Sequence, residues 1–192
     1  SLDGRGFGCG PRLAQPEAGQ EVAPNSHGSR SNVRILSSES LLALSNLYER
    51  QQMWPELADI LERLSDASAD DGERAGHLAR RAKIYVEKLQ RDDLALDEWQ
   101  RVLDINYEHV VALRSIADIR RRQGDHAELV MALQNMVERA ARLIDEDELV
   151  AIYRELGKTY GEVLDQPIEA ADAWRKLIEI GPGDFEAMAA LE

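Results

Sequence analysis

The groups able to do acid–base, nucleophilic or metal chemistry in this 192-residue chain are four histidines, one cysteine and thirty-six carboxylates. His27, His77, His109 and His126 stand singly, with no His-x-x-x-His pair and no carboxylate spacing that completes a metal site. They read as surface or packing residues. A lone Cys9 rules out an intramolecular disulfide and a cysteine-based zinc site, and no plausible base accompanies it in a nucleophile motif. The run Asp145-Glu146-Asp147-Glu148 lacks the alternating ligands and turn glycine of a calcium loop, and reads instead as negative charge complementing a helix N-terminus. Glycines at 4, 6, 8 and 10 alternate as in a phosphate cradle, but no strand precedes them and no helix follows. The expectation is a protein that is not an enzyme and holds no metal or cofactor.

Composition points to helices. Hydrophobic residues make up 44% of the chain, enough for a sizeable core, and Ala, Leu, Glu and Arg dominate while β-branched residues are sparse. The fold class expected is all-α. Twenty-three basic against thirty-six acidic residues give a net charge of −13. Residues 1–34 carry +1, so the rest carries −14, with nineteen basic and thirty-three acidic residues. A body this acidic repels a phosphate backbone, which disfavours nucleic acid as a partner. No apolar run approaches the roughly 18 residues of a membrane span, and no secretory leader pattern opens the chain. With a single cysteine and an acidic surface, the expected location is the cytoplasm.

Two regions differ in kind. Residues 1–34 are rich in glycine and proline, show no apolar periodicity, and read as a flexible tail or linker, either native or left from cloning. From about residue 35 the period becomes helical. Leu41, Leu44 and Tyr48 line one segment, with Ser37 or Ser38 as its cap, and Trp54, Leu57, Leu61 and Leu64 line the next. Further segments are expected over 72–90, 92–104, 109–123, 126–143, 147–164 and 167–180, with Asp92 capping the fourth and Gly124 closing the fifth. Residues 185–192 begin a ninth. The missing initiator Met and the end within this segment point to a piece of something longer.

The segments repeat. Leu78, Ala82, Tyr85, Ala95, Trp99 and Val102 return 75 positions later as Tyr153, Gly157, Tyr160, Ala170, Trp174 and Leu177. Leu44, Leu57 and Leu61 return 72 positions later as Ile116, Leu129 and Leu133. Odd units thus match odd units and even match even. Aromatics at 85, 99, 153, 160 and 174 fall at helical spacing and are read as core. One extra residue separates Tyr85 from Ala95 and Tyr160 from Ala170, which predicts a longer turn in units two and four.

The string Tyr153-x-x-Leu156-Gly157-x-x-Tyr160, followed by Ala170, Trp174 and Pro182, resembles the tetratricopeptide repeat family over residues 37–192. Arg81 departs from it, standing where the family places an apolar residue. The resemblance implies a right-handed superhelical solenoid of four helix pairs plus a partial fifth, acting as a protein-interaction scaffold with a concave groove lined by first helices. Projected onto this chain, the groove holds Asn46, Lys83, Arg114, Asp118, Arg154 and Lys158, with Arg80 and Arg121 nearby. Four cations there would suit an acidic protein or peptide segment. The alternative for these cations is pairing with neighbouring acids such as Glu87, Asp118, Glu155 and Glu162. The alternative function is a structural spacer, or a segment that self-associates through the repeat ends.

Overall fold

The computed structural model describes residues 37–191. The expected tail, with Cys9, His27 and the alternating glycines, lies outside them. Among the described residues every regular element is helical: α1 (Ser38–Arg50), α2 (Trp54–Ala67), α3 (Asp71–Ile84), α4 (Asp92–Ile105), α5 (Val110–Gln123), α6 (His126–Ala140), α7 (Glu146–Lys158), α8 (Pro167–Ile180) and a short α9 (Phe185–Ala190). Each packs on the helix before it and the helix after it. The pairs α1–α2, α3–α4, α5–α6 and α7–α8 form four units, and α9 begins a fifth.

Side chains set the helix starts. Ser37 accepts from the Ser40 amide, Asp70 from Glu73, Asp125 from Glu128, Asp145 from Glu148 and Asp184 from Ala187, each satisfying an amide that has no partner within the helix. His109 does the same through Nδ1, 3.1 Å from the Ala112 amide, so this histidine is a cap. The acidic run expected at a helix start is there, with Glu146, Asp147 and Glu148 in the first turn of α7. Asp92 is a correction. The cap position of α4 is Arg91, whose side chain makes no capping bond, while Asp92 sits in the first turn and accepts from Arg122 at 2.8 Å.

The extra residue in units two and four is also placed differently from expectation. Rather than lengthening the turn, α3 and α7 widen into five-residue π-helical segments, Tyr85–Leu89 and Thr159–Val163. The Arg91 amide then donates to the Tyr85 carbonyl at 2.9 Å and the Gln166 amide to the Tyr160 carbonyl at 2.8 Å. A π segment absorbs one residue without breaking the helix, which leaves Tyr85 and Tyr160 buried. One residue per unit then reverses the chain in the left-handed region: Gln52 (φ 57°), Gln90 (φ 53°), Gly124 (φ 69°) and Asp165 (φ 53°). Only one of the four is glycine.

Two apolar clusters fill the interior. Leu41, Leu57, Ile60, Leu61, Leu64 and Ile84 form the smaller, in which α1, α2 and the end of α3 meet. The larger runs from Ala58 and Leu78 through Trp99, Leu133 and Trp174 to Ala187. Of the five aromatics read as core, Tyr85, Trp99, Tyr160 and Trp174 are buried, and Tyr153 is half-buried. In unit four the helices approach closely because Gly157 has no side chain. A Cβ added there would lie 2.5 Å from Trp174 Cε2.

Two substitutions follow from this backbone. Gly157→Ala gains about 1 kcal/mol of helix propensity but overpacks a buried indole at about 1–3 kcal/mol. Urea unfolding should therefore show a net loss of up to about 2 kcal/mol. Gln90→Gly relieves an exposed left-handed residue and should raise stability by about 0.5–1 kcal/mol in the same assay.

Candidate functional site

The first helices carry the expected groove residues. Asn46 lies on α1, Lys83 on α3, Arg114 and Asp118 on α5, and Arg154 and Lys158 on α7. The first four are exposed and the last two half-buried. Their shared face is stitched by ion pairs between successive units. Arg80 on α3 reaches Glu49 on α1 at 2.6 Å. Arg114 and Arg121 on α5 each clasp a carboxylate on α7, Glu148 and Glu155, through two nitrogens at 2.7–2.8 Å. Arg154 pairs with Asp184, and Lys158 with Glu186 at 2.7 Å.

Three of the four expected groove cations, Arg114, Arg154 and Lys158, are thus neutralised by acids of the following unit. Asp118 pairs with Arg121. Among the acids expected as partners, Asp118 and Glu155 serve Arg121, whereas Glu148, Asp184 and Glu186 take the groove cations. The short-range view of a helix surface looks three or four residues away. The pairing here runs about one repeat along the chain, 34 residues for both Arg114–Glu148 and Arg121–Glu155. That signal was present in the repeat period.

Lys83 is the exception, with no ion pair among the described residues. It lines a cleft of about 150 Å³ between the first helices of units two and three, together with Glu87, Ser115, Asp118 and Arg122 over a floor of Val86 and Ile119. Trp99 completes the wall, and its buried indole N–H has no hydrogen-bond partner. Lys83 and Asp118 are therefore brought together. Asn46 lies two units from Asp118 in the chain, on α1, and lines none of the described clefts.

Charge is segregated between the two helix classes. The four first helices hold eleven basic and nine acidic residues, net +2, while the four second helices hold five basic and fourteen acidic, net −9. The acidic excess of the chain therefore resides mainly on the second helices. The first-helix side is therefore close to balanced, and solvent screens it from the acidic second helices beyond about 10 Å.

Arg81, the residue out of pattern, is buried at 8% exposure between α2 and α4. It pairs with buried Glu98 at 2.7 Å and Glu62 at 2.9 Å, and its guanidinium lies 5.3 Å from the Tyr85 ring centroid. Arg101 adds a second contact to Glu98 at 3.1 Å. Burial pushes the Glu98 carboxyl up while Arg81 and Arg101 pull it down. In the sequence Arg81 is visible only as a departure from the repeat pattern. Its partners lie 17 and 19 residues away on other helices, beyond any local pattern.

No group of three or more His, Cys, Asp or Glu side chains among the described residues could hold a metal ion. No helix there is long and apolar enough to cross a membrane.

Asp184 links the array to α9. The Ala187 amide and the Arg154 guanidinium both favour its ionised form and hold it below the usual carboxylate range. Its contribution to seating α9 is complete above the unfolded value of about 3.9 and is lost as pH falls through the lower folded value. Amide exchange at Ala187 and Met188 should accelerate across that window. Asp184→Ala should produce the same fraying at neutral pH, with a loss of about 1 kcal/mol.

No family model matches this sequence, and no curated protein matches it. Solved structures do resemble it. The C-terminal part of a TPR repeat-containing protein from Cytophaga hutchinsonii superposes at a TM-score of 0.56 with 13% identity, over 81% of this chain and 60% of that one. A tetratricopeptide repeat protein from Parabacteroides merdae gives 0.53 and 13%, over 80% and 57%. MamA gives 0.50 and 14%, over 80% and 78%. At these identities the likeness establishes the fold, a tetratricopeptide-like all-α solenoid of helix pairs.

Proposed function

Taking the tetratricopeptide-like solenoid as the premise, we propose that this chain is a non-enzymatic protein-interaction scaffold that captures an acidic segment of a partner protein along its first helices. The observation that carries the reading is Lys83. It is the groove cation with no ion pair among the described residues, and it lines a cleft, shared with Glu87 and Asp118, whose wall includes a buried, unpartnered indole N–H. The ion pairs of Arg114, Arg154 and Lys158 hold the units in register, so these cations shape the strip and Lys83 anchors the ligand. An anchoring carboxylate would gain the ammonium of Lys83 and the Ser115 hydroxyl as donors. Asp118, at the same cleft, would select against a carboxylate placed at its end of the strip.

A second reading has its own observation. On α9, Phe185 is 83% exposed and Met188 and Leu191 are also exposed, an apolar face open at the array's end. A spacer or self-associating segment would use that face.

Fluorescence anisotropy of the full chain with a labelled Glu-rich peptide tests the first reading. Binding should weaken about ten-fold in Lys83→Glu, the size of one charge-assisted contact, and change little in Glu138→Gln. Equal binding by wild type and Lys83→Glu sinks the reading. Growth of light scattering with concentration, abolished by Phe185→Ser, would move self-association ahead.

A further inference from the structure

The second-helix side holds a cleft of about 260 Å³ between α6 and α8. Its floor is Leu156 and Tyr160 of α7, and its walls include Gln134 and Glu138 on one side and Glu169 and Ala173 on the other. The repeat itself explains why the space exists. Counting back 75 positions, Leu156, Tyr160, Ala173 and Lys176 correspond to Arg81, Tyr85, Glu98 and Arg101. Counting back 72, as the odd units require, Gln134 corresponds to Glu62.

The α6–α8 cleft therefore occupies the same place in its unit as the buried Arg81 cluster does in unit two. There the guanidinium fills the gap between two second helices, lies over a tyrosine ring and is gripped by a carboxylate from each side. Here leucine and alanine replace arginine and glutamate, the tyrosine is retained, and the gap is open. Its rim keeps carboxylates and one ammonium, Lys176, which stands where Arg101 does in unit two and is paired with Glu179 at 2.7 Å. Glu138 on α6 and Glu169 on α8 have no basic partner among the described residues, whereas the neighbouring Asp172 is paired with Arg175.

We propose that the α6–α8 cleft is a docking site for an arginine side chain on a basic segment of a partner protein. The incoming side chain would take the part that Arg81 plays in unit two. Its aliphatic stem would lie on Leu156, its guanidinium would face Tyr160, and its N–H groups would reach the rim carboxylates. Arginine suits this better than lysine, because a planar fork can stack on a ring while bonding acids on two walls. Charge complementarity supports the same occupant, since the second helices carry net −9. Glu169 stands close enough to the Tyr160 phenol to help burial push its pKa up, which places negative charge at the ring. This site is on the opposite class of helices from the Lys83 strip and takes a partner of opposite sign, so it goes beyond the function proposed above and does not rest on it.

The test is a titration of the isotope-labelled full chain, followed by amide resonances, with a short Ala-based peptide carrying one Leu and one Arg. Parallel titrations use the same peptide with citrulline or a second Leu in place of Arg. The Arg peptide should shift resonances of residues 134–138, 156–160 and 169–176, and citrulline should weaken binding by about ten-fold, the loss of a charge-assisted contact. Glu138→Gln with Glu169→Gln should weaken it similarly. Leu156→Arg with Ala173→Glu rebuilds the unit-two filling and should abolish it, whereas Lys83→Glu should leave it unchanged. If the rebuilt pair does not fold, as circular dichroism would show, the Glu138→Gln/Glu169→Gln chain decides. The proposal is overturned if the Leu peptide binds as well as the Arg peptide, which would mark an apolar anchor site only. It is equally overturned if the cleft resonances do not move, or if the double Gln variant binds as wild type does.

Discussion

Every helix here is short and one-sided, and burial of its single apolar stripe against the next unit is the constraint from which the rest follows. The helices run from 6 to 15 residues, at or below the length at which an isolated helix is marginal in water. Caps at Ser37, Asp70, His109, Asp125, Asp145 and Asp184 define their starts, but each cap is worth only about 1 kcal/mol. Stacking supplies the remainder. Leu57, Leu61, Trp99, Leu133 and Leu177 are almost wholly excluded from water, and each such side chain contributes on the order of 1.5–3 kcal/mol. The need to keep stripes facing one another also accounts for the π segments, which retain Tyr85 and Tyr160 in the interior despite an inserted residue.

Charge is arranged on that frame for two different purposes. Between first helices, arginines and acids one repeat apart bridge successive units. Exposed pairs of this kind are individually weak, roughly 0–1 kcal/mol, so their importance is in register and in setting which cations remain free. On the second helices the acids outnumber the bases nearly three to one, and seven of the fourteen are ion-paired. One solenoid thus presents a nearly balanced strip and a strongly acidic side.

The buried Arg81 cluster shows how a repeat diversifies without altering its architecture. Removing one partner of such a buried pair leaves an uncompensated charge and costs several kcal/mol, whereas replacing the whole set by apolar residues is tolerated. Unit four has the apolar set, Leu156 and Ala173, at the corresponding positions. The exchange preserves Tyr160, Ala170 and Trp174 as packing residues and converts filled space into an open cleft.

The helical class, the pairing into units, most helix boundaries, the turn at Gly124 and the burial of four of the five spaced aromatics are legible in the residue pattern alone. These are local or strictly periodic properties, written in the 3.6-residue stripe and in the 72- and 75-residue spacings. Which charges meet is set by tertiary packing. Whether Arg114 is a free groove cation or the partner of Glu148, and whether Arg81 is a flaw or a buried hub, depends on side chains from separate helices converging in space. The π segments belong to the same category, since an extra residue reads identically in sequence whether it lengthens a turn or widens a helix. Packing chose the second, because burying a tyrosine outweighs the small cost of a widened turn of helix.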